Sequence, residues 1–238
     1  MWKTLSLWLL LGSAPALASA DTLGVLYFAD GGDASVAPLK VGLAQMLITD
    51  IHDTPGLQVV ERARLQEVLD ELELGHAGVA DAGTAAQLGK VLGARWLLLG
   101  TTMQFMGTLQ INAHLVDVET AAILDSVEVH GPSASFFELE DQLALRVQAM
   151  VAPRLGAAPP SSSDHASPTA SAPDPAHTAR AAAPAAPRDP LGATAHFSAG
   201  LIALDRKDAP RAREAFEAAL LADAGLEDAQ AALAALSL

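Results

Sequence analysis

The feature that most limits what this chain can fold into is a break in composition near Pro153. Nine of the fourteen prolines fall between Pro153 and Pro190, among Ala, Ser and Thr. With so few large apolar side chains, such a stretch has almost nothing to offset the entropy of ordering it. Residues 153–192 are therefore expected to be a disordered linker, reaching about 35 Å as a coil and up to about 120 Å as extended polyproline II. The break leaves one segment, 21–152, long enough for a proper core, and a short tail, 193–238. The N-terminus carries its own signal: Lys3 gives a positive start, Leu5 to Leu11 an apolar run, and Ala18-Ser19-Ala20 a small-residue cleavage site. That is the pattern of a secretory signal peptide over 1–20, cleaved after Ala20. The apolar run is far shorter than the about 20 residues that cross a bilayer, and no later segment is long enough. The mature chain is expected to act outside the cytoplasm without integral membrane insertion.

Charge and cysteine usage narrow the function classes. The 238 residues carry a net charge of −14 and no cysteine. Residues 21–152 hold 6 basic and 18 acidic groups, the linker 3 and 3, and the tail 4 and 7. Nucleic-acid binding needs clustered Lys and Arg to displace counterions, so no nucleic-acid partner is expected. Zero cysteine excludes disulfides, thiolate zinc sites, cysteine nucleophiles and a lipid-modified N-terminal cysteine.

Within 21–152 the spacing of apolar residues alternates between strand and helix periods. Leu23 to Phe28 reads as a buried strand ending in the turn cluster Asp30-Gly31-Gly32-Asp33. A helix follows with Leu39, Leu43, Met46, Leu47 and Ile51 on one face, stopped by Pro55-Gly56. Leu57 to Glu61 is a strand, and the next helix gathers Leu65, Val68, Leu69 and Leu72 with Glu67, Asp70, Glu71 and Glu73 outside. Thr84 to Leu92 is a short helix that Gly93 can cap in the left-handed conformation. Ala94 to Thr102 reads as an interior strand. Leu109, Ile111, Ala113 and Leu115 alternate with polar residues in a hairpin that turns at Glu119-Thr120 and returns through Ala121 to His130. A last helix opens at Ser135, in capping-box spacing with Glu138, and turns Phe136, Leu139, Leu143, Val147 and Met150 inward. The order βαβααβββα is that of an α/β module with a mixed sheet.

Several phrases in this module resemble the family of the curli secretion channel protein CsgG. They are Val59-Val60-Glu61-Arg62 with Leu65 and Val68-Leu69-Asp70-Glu71, then Thr84 through Ala94, Trp96-Leu97-Leu98-Leu99-Gly100-Thr101, and Leu115-Val116-Asp117-Val118-Glu119-Thr120. The resemblance implies a periplasmic α/β domain associated with outer-membrane secretion, surface structures or wall synthesis. The family's fold also serves an outer-membrane lipoprotein that activates a peptidoglycan synthase, so the resemblance implies partner binding as readily as transport. Two departures keep the pore function from carrying over. The lipid anchor of the channel members needs a cysteine, and the hairpin near 108–130 belongs to the sheet and lacks the aromatic girdles of a membrane barrel.

The tail places Gly200, Ala203, Ala212, Phe216 and Ala219 at offsets that resemble a tetratricopeptide repeat, with Asp208 at the turn and Leu226 to Leu236 as a capping helix. Small residues let paired helices approach closely while Phe216 fills the space between them. Repeat arrays need about three units to bury their faces. A single unit must be marginal, dock onto something, or self-associate. If it binds a peptide, Phe197, Leu201 and Leu204 are the expected contact residues.

Chemistry-bearing patterns are few. His52, His76, His114 and His130 sit on different elements and His165 and His177 in the linker, with no short metal-ligand pairing. His114 and His130 are placed to face each other across the hairpin, yet nothing supplies a third ligand. Asp30 and Asp33 fit a turn better than a calcium or phosphate loop, and Glu67 to Glu73 fits a solvated helix face better than a carboxylate pair across a cleft. No GxSxG elbow is present around Ser161 to Ser163. No catalytic residue, cofactor or metal is expected. The reading is a non-enzymatic, exported envelope protein in which two tethered modules bind protein partners, possible contacts including an outer-membrane assembly. Its alternatives are a non-pore subunit of an oligomeric CsgG-like complex, and an enzyme using the acidic strand-end loop at Asp30 and Asp33.

Overall fold

The computed structural model describes residues 21–74, 79, 81–156 and 188–236. The signal-peptide reading, His76, His165, His177 and the 157–187 part of the linker reading lie outside the described residues. The α/β part runs β1 (Asp21–Val25), α1 (Lys40–Ile51), β2 (Leu57–Val59), α2 (Arg62–Glu71), α3 (Ala82–Leu92), β3 (Trp96–Phe105), β4 (Thr108–Asp117), β5 (Ile123–Pro132) and α4 (Phe136–Val151). This is the order expected from the apolar spacing.

The five strands form one sheet in the order β2-β1-β3-β4-β5. β1 pairs in parallel with β2 and β3, and the β3, β4 and β5 ladders are antiparallel. Helices lie on both sides of it, which is why Trp96, Leu97, Leu98 and Leu99 are all buried: a central strand covered on both faces is apolar without alternation. On β4, Leu109, Ile111, Ala113 and Leu115 are buried while Gln110, Asn112 and His114 are only half so. The hydrogen-bonded strand β1 ends at Val25, short of the expected Phe28. The chain still follows β3, because Leu26 N donates to Leu98 O and Ala29 N to Gly100 O at 2.9 and 2.8 Å.

Helix ends agree with their chemistry in most places. Gly93 takes φ 68° and caps α3, and Asp81 accepts from Thr84 N at its start. Ser135 does not cap α4 through its side chain. A 3-10 turn over Ser133–Ser135 leads into that helix, and the capping box with Glu138 does not form. Leu72, expected to pack inward, is 48% exposed, since the last residue of α2 is Glu71 and Leu72 lies beyond the inward-facing turns.

The tail folds as α5 (Pro190–Asp205), α6 (Ala209–Ala222) and α7 (Glu227–Ala235). α5 begins inside the segment read as linker, with Pro190 in the first turn, where a missing N–H costs nothing, and Asp189 accepting from Gly192 N. Asp208 caps α6. Gly200 packs against the ring of Phe216, where a Cβ would collide with it. Of the three fates open to a lone helical pair, the tail takes docking. Its buried side chains, Phe197, Leu201, Phe216 and Ala229 among them, belong to the same hydrophobic core as Leu43, Leu47 and Phe136 of the α/β layer.

Candidate functional site

The seam between the C-terminal helices and the α/β layer is built from small and polar residues. In the first turn of α1, where helix geometry leaves amides without intrahelical acceptors, Gly42 N donates to Ser198 Oγ of α5 at 2.8 Å. A Cβ on Gly42 would stand 2.6 Å from that oxygen and 3.0 Å from Thr194, so the approach depends on glycine. At the far end of α5, Arg62 at the start of α2 donates through both Nη atoms to Asp205 at 2.7 and 2.8 Å. The two side chains are 8% and 11% exposed, the bidentate, water-poor geometry in which an Arg–carboxylate pair is strongest. Burial is the largest single influence and works against the charge of Arg62, but the hydrogen bonds and charges of Asp205 and Tyr27 together outweigh it and the pKa is raised. Arg62 Nη1 also donates to Tyr27 Oη, which in turn donates to Gln66 Oε1 at 2.8 Å. Desolvation is the main cause that pushes the Tyr27 phenol up to about 12. A third tie runs from Thr49 Oγ1 to Asp228 Oδ1 of α7 at 2.8 Å.

These contacts decide where the expected peptide-binding residues stand. Phe197 is buried with its ring 5.7 Å from that of Phe216, and Leu201 is buried one turn beyond Ser198. Leu204 is half-buried against the same core. Phe197 and Leu201 are thus buried in this chain's own core, and Leu204 is half-buried against it.

The acidic strand-end loop behaves as a turn. Asp30 accepts from Gly32 N and pairs with Lys40 at 2.9 Å. Asp33 accepts from Ser35 N and Oγ and from Gln104 N. The hydrogen bonds from Lys40 to Asp30 and from Ser35 to Asp33 lead the causes that hold these carboxyls below their ordinary range, the opposite of what a general acid needs. His114 and His130 do not face each other. His114 is opposite Ser126, with Nδ1 2.7 Å from its hydroxyl, and His130 is opposite Gln110.

Two features remain turned outward. β5 is an edge strand of ten residues, and an unpaired edge is a ready template for another strand. At the tip of the β3–β4 hairpin, Phe105 and Met106 are 74% and 90% exposed. Met106 and Gly107 both have positive φ, 49° and 79°, the two-residue turn in which Asn-Gly is the favoured pair. A methionine there costs local stability and presents an apolar side chain to solvent.

Residues 20–108 match the model of the family described as curli production assembly/transport component CsgG. Over that stretch the chain is similar to this family. The match covers β1 through the β3–β4 turn, the seam residues Tyr27, Gly42 and Arg62, and the tip at Phe105 and Met106. No curated protein sequence matches the chain. Among solved structures, the LpoB C-terminal domain from Salmonella enterica is similar at 15% identity and TM-score 0.39, over 50% of this chain and 87% of that one. The PelC dodecamer from Paraburkholderia phytofirmans is similar at 14% identity and TM-score 0.37, over 62% and 96%. TolB from Acinetobacter baumannii gives 14% and 0.38, over 58% and 29%. Among the described residues, no helix is long and apolar enough to cross a membrane.

Proposed function

We propose that this chain is a non-enzymatic accessory protein of the cell envelope, exported to the periplasm, that works by binding protein partners of an envelope assembly. The observation that carries this reading is the family match over 20–108, whose description is that of an assembly and transport component. The signal-peptide pattern at 1–20 supports export. The tail, a repeat-type hairpin in this reading, serves as a structural part of the same body through Ser198 and Asp205. Partner contact then falls to the exposed tip at Phe105 and Met106 and to the β5 edge. The test is in-cell cross-linking through a photoreactive residue at position 105, followed by identification of the captured chains. Capture of envelope-assembly proteins is expected, and capture of none would end the reading.

A second reading, a non-pore subunit of a homo-oligomeric complex, is favoured by the position of the ten-residue strand β5 at the edge of the sheet. Light scattering of the purified protein separates the two: a stable ring mass supports the subunit, a monomer the accessory protein.

A further inference from the structure

We propose that Asp50, Glu140 and Asp141, with Asp228 beside them, form a calcium site that fastens the C-terminal helix α7 to α1 and α4. One carboxylate oxygen from each of Asp50, Glu140 and Asp141 lies within 4.8 Å of the others. That is the span open to oxygens sharing one cation at calcium–oxygen distances of about 2.4 Å. The residues come from the end of α1 and the second turn of α4, separate segments brought together by the fold.

Glu140 supplies the independent sign that something is to be bound. It is 3% exposed, and its Oε1 is a buried atom with no hydrogen-bond partner among the described residues. Buried carboxylates are ordinarily compensated by a cation or by donors. The charged groups around Glu140 are Asp50, Asp141 and Asp228, all acidic, and the one side-chain hydrogen bond acting on it is shared with Asp50, itself a carboxyl. A divalent cation at this point takes the place of the proton that Asp50 and Glu140 must otherwise share, with Asp141 as third ligand and Asp228 nearby.

The choice of calcium follows from the donors and their geometry. All are carboxylate oxygens, which suit hard cations and not zinc or copper. Glu140 and Asp141 are consecutive on one helix and cannot share a face, so regular octahedral coordination at magnesium distances is hard to reach, whereas calcium accepts six to eight oxygens in irregular arrangements. Asp50 and Asp141 are exposed, leaving room for water to complete the shell. Asp228 lies on α7, held by Thr49 from α1, so a cation here acts on the docking of the tail.

The experiment is calorimetric titration of the purified, chelator-treated protein with calcium chloride at constant ionic strength, with magnesium chloride in parallel. One saturable site is expected, with Kd on the order of 10⁻⁴ M, magnesium at least about ten-fold weaker, and amide exchange in 227–235 slowed by calcium. Asp50→Asn with Asp141→Asn should weaken calcium binding about ten-fold or more while keeping the circular dichroism spectrum of the wild type; if that pair does not fold, Glu140→Gln makes the same comparison. No saturable binding, equal affinity for magnesium, undiminished binding in the variant, or unchanged exchange in α7 would each overturn the proposal.

Discussion

Ser198 completes the first turn of α1 from 156 positions along the chain, its Oγ taking the Gly42 amide at 2.8 Å. A helix normally finds its N-terminal acceptor in its own preceding residue. Here that residue, Leu39, offers no side-chain acceptor, and the C-terminal hairpin supplies one. Ser198→Ala should therefore destabilise the whole protein by about 1 kcal/mol, as loss of a helix cap does. The check is the urea midpoint, with the m-value unchanged. Gly42→Ala should cost more, about 1–3 kcal/mol by overpacking against Ser198 and Thr194.

Arg62 and Asp205 are expected to act as a unit. Arg62→Met removes the charge that compensates buried Asp205 and should cost about 3–5 kcal/mol, whereas Arg62→Met with Asp205→Leu should cost much less than the sum of the single changes. A double-mutant cycle in urea measures the coupling. Limited proteolysis of the single variants should release the C-terminal helices first.

Tyr27 is the only tyrosine, so its ionisation can be followed by near-ultraviolet absorbance without interference from another phenol. Its pKa is raised from 10.0 to about 12. Because the folded value lies above the unfolded one, the stability tied to the neutral phenol is fully present below pH 10 and is lost as pH rises towards 12. The loss is on the order of 2–3 kcal/mol. Tyr27→Phe should remove this alkaline dependence, which denaturation at stepped pH would reveal.

At the hairpin tip, Met106→Asn creates the pair that a turn of this type favours and should raise stability by a few tenths of a kcal/mol. With Phe105→Ser it should also abolish capture of the proposed partner by a photoreactive residue placed instead at exposed Thr108. A variant that is as stable as wild type and still captures the same chains would remove the tip from the binding surface.

The order of elements was legible because each helix and strand writes its own period into the sequence. The spacing of Leu39, Leu43, Leu47 and Ile51, the run Trp96 to Leu99, and Gly93 past the end of α3 are local signals that the tertiary structure uses as they stand. The Ser135–Glu138 pattern misled because a 3-10 turn took over the helix start. The docking of the tail left no such trace. Its ties join residues such as Arg62 and Asp205, 143 positions apart, and they use Gly, Ser and Thr, which read as poor core formers until a neighbouring backbone comes close. Phe197 and Leu201 read as an apolar face and are buried, but spacing alone does not say whether such a face receives a foreign peptide or packs within this chain. The cluster of Asp50, Glu140 and Asp141 was invisible for the same reason, with ligands on two helices and no motif.

The chain leaves the α/β layer at Gly156, whose amide is held by Asp21 Oδ2 at 2.6 Å, and re-enters the described structure at Arg188, beside Asp223 at 4.0 Å. Both points sit on one body, so the peptide connection between them is not what keeps α5 to α7 in place. The C-terminal helices stand to the α/β layer as a resident ligand stands to its receptor, at an effective concentration that the covalent connection keeps high. A chain cleaved between those two points should survive as a two-piece complex, and the separate pieces should find each other again when mixed.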